Sequence, residues 1–244
     1  MKGIVLAGGL GTRLYPLTKI TNKHLLPVYD RPMIFFPIMK LAKSGINEIM
    51  VVTGGNNAAD FQRLLGDGSE FGLSRIHYIY QPQEGGIAQA IGLCENYADG
   101  GKVAVMLGDN IIEQDISRAI DNFQNDGQGA AIFLKKVLNP QEYGIAEVNG
   151  NNIIRIVEKA KNPSSDLAVV GLYLYDNTVF DKIRTLKFSK RNELEVTDIN
   201  NIYLQNGKLE FYKLKGGWAD AGESISGYNK AIDFVRRLCK KGKI

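Results

Sequence analysis

Gly3-Ile4-Val5-Leu6-Ala7-Gly8-Gly9-Leu10-Gly11-Thr12-Arg13 lies at the start of the chain and holds most of what decides its fold. Gly3–Ala7 is a short apolar run of strand length, and a glycine-rich turn follows it at once. In open α/β sheets, ligands bind beyond the carboxyl ends of strands, which is where this turn falls. Gly8, Gly9 and Gly11 leave the turn almost without side chains, so backbone N–H groups can approach phosphate oxygens, and Arg13 adds a forked cation. A Walker loop would need Gly-Lys-Ser/Thr at its end, and the dinucleotide fingerprint would need a third glycine where Leu14 stands. On these residues alone, a glycine-rich turn ahead of a surface arginine remains the plain alternative.

The rhythm continues outward from that stretch. A helix is expected over Met33–Lys43, with Pro32 where a first turn tolerates proline and Gly45 as its left-handed stop. Strands are expected at Ile49–Thr53 and Val103–Leu107, giving the βαβ alternation of a mostly parallel sheet. After about residue 128 the texture changes. Ala130–Lys136 reads as a strand, Ile145–Val148 and Ile153–Val157 flank an Asn149-Gly150 hairpin turn, and Val169–Tyr175 is a further strand. Val196–Gln205 reads as a helix stopped by Gly207, and Ser224–Cys239 as the last helix. The fold class expected is α/β: a Rossmann-like, mostly parallel sheet flanked by helices, with added antiparallel strands in the second half, as one domain over residues 1–244.

Composition narrows the function classes. The 244 residues are 44% hydrophobic and 23% charged, enough for one large buried core. No window approaches the roughly 18 consecutive apolar residues of a membrane span, and Met1-Lys2-Gly3 leads into Ile4 without a cleavable signal pattern, so a cytoplasmic protein is expected. Cys94 and Cys239 lie far apart and there are two histidines, which argues against a thiol–histidine zinc site and for reduced thiols. The formal net charge of +4 is carried by residues 231–244, where Arg236, Arg237, Lys240, Lys241 and Lys243 face Asp233 alone. A distributed nucleic-acid footprint is therefore absent, and the basic tail reads as a solvated helix end rather than a membrane anchor.

Three more residues could share chemistry with the loop. Lys23, in Asn22-Lys23-His24-Leu25-Leu26-Pro27-Val28, could reach the same phosphates; alone, it could equally be a solvated lysine. Asp109 follows Val103–Gly108 and so emerges at the carboxyl end of a buried strand. Asp220, in Trp218-Ala219-Asp220-Ala221-Gly222, is a candidate second carboxylate. Magnesium takes one or two carboxylates together with substrate phosphates and water, although a lone Asp after a strand is often only a turn former.

With these residues in place the chain resembles the sugar-1-phosphate nucleotidylyltransferase family, and within it the glucose-1-phosphate thymidylyltransferases, over essentially its whole length. The matching stretches are Gly8–Arg13 with Leu14-Tyr15-Pro16, Lys23 in Lys-His-Leu-Leu-Pro-Val, Leu65–Ser69, Gln81-Pro82 and Ile87–Ala90. Further matches are Leu107–Asn110, Tyr143-Gly144, Glu158-Lys159, Gly171–Tyr173, Glu193–Asn200 and Trp218–Gly222. The resemblance implies the nucleotide-diphospho-sugar transferase fold and transfer of a nucleotidyl group from dTTP to α-D-glucose 1-phosphate, giving dTDP-glucose and pyrophosphate. It implies Arg13 and Lys23 as catalytic cations, and Gly8, Gly9, Gly11, Thr12, His24, Gln81, Gly86 and Asp109 around the nucleotide. Asn110, Gly144, Glu158, Lys159, Val169 and Tyr173 would surround the sugar phosphate, and Asp109 and Asp220 would hold Mg2+. Glu158 and Lys159 as an exposed strand end, and Tyr173 as core, are the plain alternatives.

Such a reaction needs no general base, because the attacking phosphate oxygen is already ionised near neutral pH. Its demands are in-line positioning and charge neutralisation. Four departures from the family pattern bear on specificity: Ala160 follows Glu158-Lys159 where proline is usual, His24 stands for Gln, Gly85 for Asp and Val170 for Thr. UTP or another sugar phosphate is the near alternative, and a non-catalytic nucleotide-binding module or a membrane-associated protein using its basic tail the remote ones. The short C-terminal region suggests that the feedback site of longer relatives is missing, while a homo-oligomer stays open.

Overall fold

The computed structural model describes residues 1–243. Its strands are β1 (Lys2–Ala7), β2 (Pro27–Val28), β3 (Arg31–Pro32), β4 (Glu48–Gly54), β5 (Arg75–Gln81), β6 (Val103–Leu107), β7 (Asn110–Ile112), β8 (Ala130–Lys136), β9 (Gly144–Asn149), β10 (Asn152–Glu158), β11 (Leu167–Tyr175), β12 (Leu209–Lys213) and β13 (Trp218–Asp220). The helices are α1 (Phe35–Lys43), α2 (Ala58–Leu65), α3 (Ile87–Gly92), α4 (Glu95–Ala98), α5 (Ser117–Asn125), α6 (Val179–Thr185), α7 (Val196–Gln205) and α8 (Ile225–Lys240). These elements fall into two compact units that interleave along the chain. The first comprises Lys2–Glu84, Met106–Arg118 and the residues from Gly216 on; the second comprises Met1, Gly85–Val105 and Ala119–Lys215.

In the first unit β1, β4 and β5 run parallel, with Ile4 opposite Met50 and Met50 opposite His77. Ile4, Val5, Leu6 and Ala7 are all buried, as expected of a parallel strand covered on both faces. Helix α2 packs on β4 and β5, and α1 on β1 and β7. A cluster of Leu14, Leu26, Val28, Met33, Tyr228 and Val235 joins the loop after β1 to α8, so the glycine-rich turn rests on a packed floor. Ser224 caps α8 by accepting the Gly227 N–H at 3.0 Å, in keeping with the expected helix start.

One expectation is corrected here. Helix α1 begins at Phe35, not Met33, and Pro32 sits in β3 opposite Pro27 rather than in a first helical turn. Met33 and Ile34 give their N–H groups to the carbonyls of Leu26 and His24, each at 2.9 Å, which extends the pairing of β3 with the preceding segment, and Ile34, at φ −62° and ψ −21°, is the turning residue directly ahead of the helix. Gly45, with φ +88°, ends the helix as read.

In the second unit β8 and β11 are antiparallel, with Tyr175 opposite Ala130, and the β9–β10 hairpin turns at Gly150 with φ +60°. The register of β11 on β8 shifts between Val169 and Tyr173, so the strand bends there. Strand β12 pairs with β8 in parallel, with Phe211 opposite Ile132, so the added strands of the second half are not all antiparallel. Helix α7 packs on β10 and β12, and α3 on α6. Both units combine strands with covering helices, the α/β class that the alternation implies. No described helix is long and apolar enough to cross a membrane.

Candidate active site

The turn after β1 is shaped by what its glycines leave out. Gly11 has φ +70°, and a Cβ there would come within 2.9 Å of both Lys23 Cβ and Thr18 Cγ2. It therefore needs glycine for its backbone and for the lysine that passes beneath it. A Cβ on Gly8 would meet Gln81 Oε1 at 2.6 Å, so the bare Gly8 backbone is what admits the buried Gln81. Thr12 opens a single 3₁₀ turn through Leu14, whose buried side chain anchors the loop to its floor. Arg13 projects outward, with half of its side chain exposed at 53%, and donates to Glu223.

Lys23 reaches the same place from beneath. Its Nζ lies 2.5 Å from Asp109 Oδ2, both side chains mostly withdrawn from water. Burial opposes the lysine's charge, but Asp109, aided by Asp220, more than offsets it and the ammonium pKa is raised. For Asp109, burial favours the neutral acid, yet Lys23 and the N–H of the Asn110 amide hold it below the usual carboxylate range. Asn110 accepts at 2.8 Å from Trp218 Nε1, and Asp220 stands opposite Asn110 across the β7–β13 pair. Burial and then the neighbouring Asp109 push the Asp220 carboxyl up to about 7. The three ionisable groups thus form one cluster at the ends of two paired strands. Gly222 keeps it open, since a Cβ there would collide with the Asp109 carboxylate and reach Lys23 Nζ at 2.6 Å.

The donor set fits a divalent cation. Two carboxylates crowd one another so that the second resists ionising, and a hard cation relieves that repulsion while taking oxygen ligands. No group of three or more acidic, His or Cys residues gathers among the described residues, so the remaining ligands would be phosphate oxygens and water.

His24 takes up a different place from Lys23. It is 3% exposed, its Nδ1 lies 2.8 Å from Asn22 Oδ1, and its ring occupies the space that a Cβ on Gly108 would need. Burial and then the Lys23 charge lower its pKa to about 3, so it is a neutral, packed imidazole. Asn22, which sequence reasoning passed over, is the organiser of this segment. Its amide donates to the carbonyls of Ala7 and Gly9, and its oxygen also accepts the His24 N–H at 3.0 Å. The sequence signal was available: a polar residue directly ahead of a short helical turn is a cap.

The second unit carries the residues expected around the sugar, apart from Asn110, which lies in the first. Gly144 stands opposite Glu158 across the β9–β10 pair, and a Cβ on it would come within 3.0 Å of Glu158 Oε2. That same oxygen accepts the Thr197 hydroxyl at 2.6 Å, and Arg191 lies 3.6 Å from Oε1. Lys159 takes φ +42°, an uncommon conformation for a side-chain-bearing residue, and its N–H bonds Tyr143 O at 3.1 Å. Val169 sits where the β11 register shifts. Tyr173 is 3% exposed and stacked on Tyr175, the core position that the plain alternative gives it. Val170 is fully buried, so an apolar side chain suits the position. Gly86, with φ +94°, lies against Leu194 and Glu193 in this unit. Thr197 and Arg191 are the residues the reading missed, both within or beside the quoted Glu193–Asn200 stretch.

The family described as Nucleotidyl transferase matches residues 2–237. The chain is 44% identical over 242 residues to the glucose-1-phosphate thymidylyltransferase of Neisseria meningitidis serogroup A, covering 98% of this chain and 83% of that protein. It is 43% identical over 242 residues to that of Mycobacterium tuberculosis H37Rv, with the same coverage. Among solved structures, a Bacillus anthracis protein described as a glucose-1-phosphate thymidylyltransferase and solved in complex with sucrose is 47% identical with a TM-score of 0.92, covering 97% of this chain and 95% of that one. A UDP-glucose pyrophosphorylase in complex with UDP-glucose is 25% identical with a TM-score of 0.85, covering 97% and 98%.

Proposed function

Because the chain belongs to the nucleotidyl transferase family, we infer that it transfers a nucleotidyl group from dTTP to α-D-glucose 1-phosphate and releases dTDP-glucose and pyrophosphate. The observation that carries the reading is the Lys23–Asp109–Asp220 cluster beneath the glycine loop. Beside it stand relatives more than 40% identical over nearly the whole chain that bear this activity as their name.

The chemistry asks for charge control rather than proton transfer. A phosphomonoester oxygen is already anionic near neutral pH and attacks the α-phosphorus directly, while the α–β bridging oxygen leaves with pyrophosphate. The backbone donors of Gly8, Gly9 and Gly11 hold the triphosphate, with Thr12 beside them. Arg13 and Lys23 offset the negative charge that accumulates when two polyanions meet. Gln81, His24 and Gly86 are assigned to the nucleotide, and Asn110 to the sugar phosphate. Glu158 accepts sugar hydroxyls, Lys159 binds the sugar's phosphate, and Gly144, Val169 and Tyr173 shape the surroundings. Asp109 and Asp220 would hold Mg2+, which supplies Lewis-acid polarisation of the reacting phosphate. A dTTP-dependent enzyme of this kind works in the cytoplasm, where its nucleotide substrate is found.

Continuous pyrophosphate detection with glucose 1-phosphate and excess magnesium tests the reading against its near alternative. Turnover is expected with dTTP and with UTP, dTTP being preferred roughly tenfold because burying one methyl group is worth about 1–3 kcal/mol. A UTP preference would instead favour the uridylyl reading, to which the UDP-glucose pyrophosphorylase likeness points.

A further inference from the structure

Two donors of the glycine loop, the Leu10 N–H and the Arg13 guanidinium, are engaged by carboxylates of the protein itself. The N–H of Leu10, in the middle of Gly8–Arg13, donates to Glu84 Oε1 at 2.5 Å. A Cβ on Gly9 would come within 3.9 Å of that same oxygen, so the Glu84 carboxylate lies over the bare face of the loop. Arg13 is engaged by Glu223 in the same way. Glu84 follows β5 and Glu223 follows β13, so two segments far apart in sequence each deliver an oxyanion to the loop, one to a backbone amide and one to a guanidinium. Glu84 is exposed and Arg13 more than half exposed, and Glu223 is 22% exposed, so solvent reaches both contacts. Contacts of this kind in high dielectric are weak and exchange readily, and phosphate oxygens satisfy the same donors.

We propose that Glu84 and Glu223 are displaceable phosphate surrogates, which leave the loop when a triphosphate enters and disfavour a triphosphate that arrives without a divalent cation. The inference rests on the nucleotidyl transfer reading. Once displaced, both carboxylates stay tethered within a few ångströms of the incoming phosphates, where like charges repel. A bare triphosphate carries the full repulsion, and one complexed to a divalent cation carries much less. If Glu84 instead merely braced the loop, its removal would loosen the donors and weaken nucleotide binding.

The test is calorimetric binding of dTTP to the wild type, Glu84→Gln, Glu223→Gln and the double variant, in excess EDTA and in excess magnesium. Glutamine keeps an acceptor for Leu10 N–H or Arg13 and removes only the charge, and thermal unfolding checks that each variant is folded. Each single change is expected to tighten metal-free dTTP roughly three- to tenfold, the double change by about the product, and magnesium-complexed dTTP by clearly less. Unchanged or weaker metal-free binding in the variants, with normal wild-type binding, would overturn the inference alone; so would equal tightening of both forms. A wild type that binds dTTP in neither condition would overturn the nucleotidyl transfer reading and the inference with it.

Discussion

Lys23 Nζ stands 2.5 Å from Asp109 Oδ2, and each group keeps the other charged in a place where burial alone would neutralise both. Asp109→Asn retains the shape and an acceptor for Lys23 but leaves the buried ammonium without its nearest opposite charge. We expect a loss of about 1–3 kcal/mol in urea unfolding and a drop in turnover of about a hundredfold, the scale seen when one element of charge stabilisation is removed. Near-normal turnover at limiting magnesium would remove Asp109 from the metal assignment.

Gly222 tests the same cluster without touching a charge. An added Cβ would take the space at Asp109 and Lys23, and overpacking of this sort costs about 1–3 kcal/mol. For Gly222→Ala, kcat is expected to fall at least about tenfold while KM for glucose 1-phosphate changes less, since of the residues assigned to the sugar only Asn110 borders this cluster. An unchanged kcat would mean that the cluster has no part in the chemical step.

The elements legible in the sequence are those whose signal is local. The strand before Gly8, the helix stops at Gly45 and Gly207 with φ +88° and +65°, and the last helix, which runs Ile225–Lys240 against the expected Ser224–Cys239, each depend on a few adjacent residues. Lys23, Asp109 and Asp220 were visible as residue types after strands or loops, but their meeting is a product of β7–β13 pairing and of Lys23 passing under Gly11. Nothing in local spacing carries that. The helix starts at Phe35 rather than Met33 because Pro32 belongs to β3, opposite Pro27, a pairing across the chain that local spacing does not carry. Glu84 and Glu223 gave no sequence signal, since an acidic residue in a loop is ordinarily solvated and only the fold brings these two to the phosphate donors.

His24 gives the protein a pH dependence of stability. Burial first, and then the charge of Lys23, lower its folded pKa from 6.5 to about 3, with Asp109 opposing. Between those values the unfolded chain binds a proton that the folded protein refuses. The His24 contribution to stability is therefore full above about pH 6.5 and falls as pH drops towards 3, by up to about 1.4 kcal/mol per pH unit, while the raised Asp220 carboxyl, at about 7, contributes the opposite slope. Urea unfolding of wild type and His24→Gln in EDTA from pH 7 to 4.5 should show the wild type losing stability relative to the variant as pH falls. Parallel curves would mean that the imidazole takes its proton without cost.

Glu158 provides the matching test in the second unit. Its Oε2 is fixed by the Thr197 hydroxyl at 2.6 Å, so the carboxylate is held in one orientation, ready to accept from a sugar. Glu158→Gln keeps the size and loses half of the acceptor capacity. KM for glucose 1-phosphate is expected to rise about tenfold, as for loss of a charged hydrogen bond of about 1.5 kcal/mol, with KM for dTTP little changed. A rise confined to dTTP would reassign the residue.

The central claim is transfer of the α-phosphoryl group of dTTP, with its nucleoside, to the phosphate of glucose 1-phosphate. Incubation of the wild-type protein with dTTP labelled at the α-phosphorus, unlabelled glucose 1-phosphate and magnesium tests it directly. The account predicts that the label moves into dTDP-glucose, with one unlabelled pyrophosphate released for each molecule formed. Label that remains in dTTP, or that passes to dTDP or dTMP without appearing in a nucleotide sugar, would contradict it.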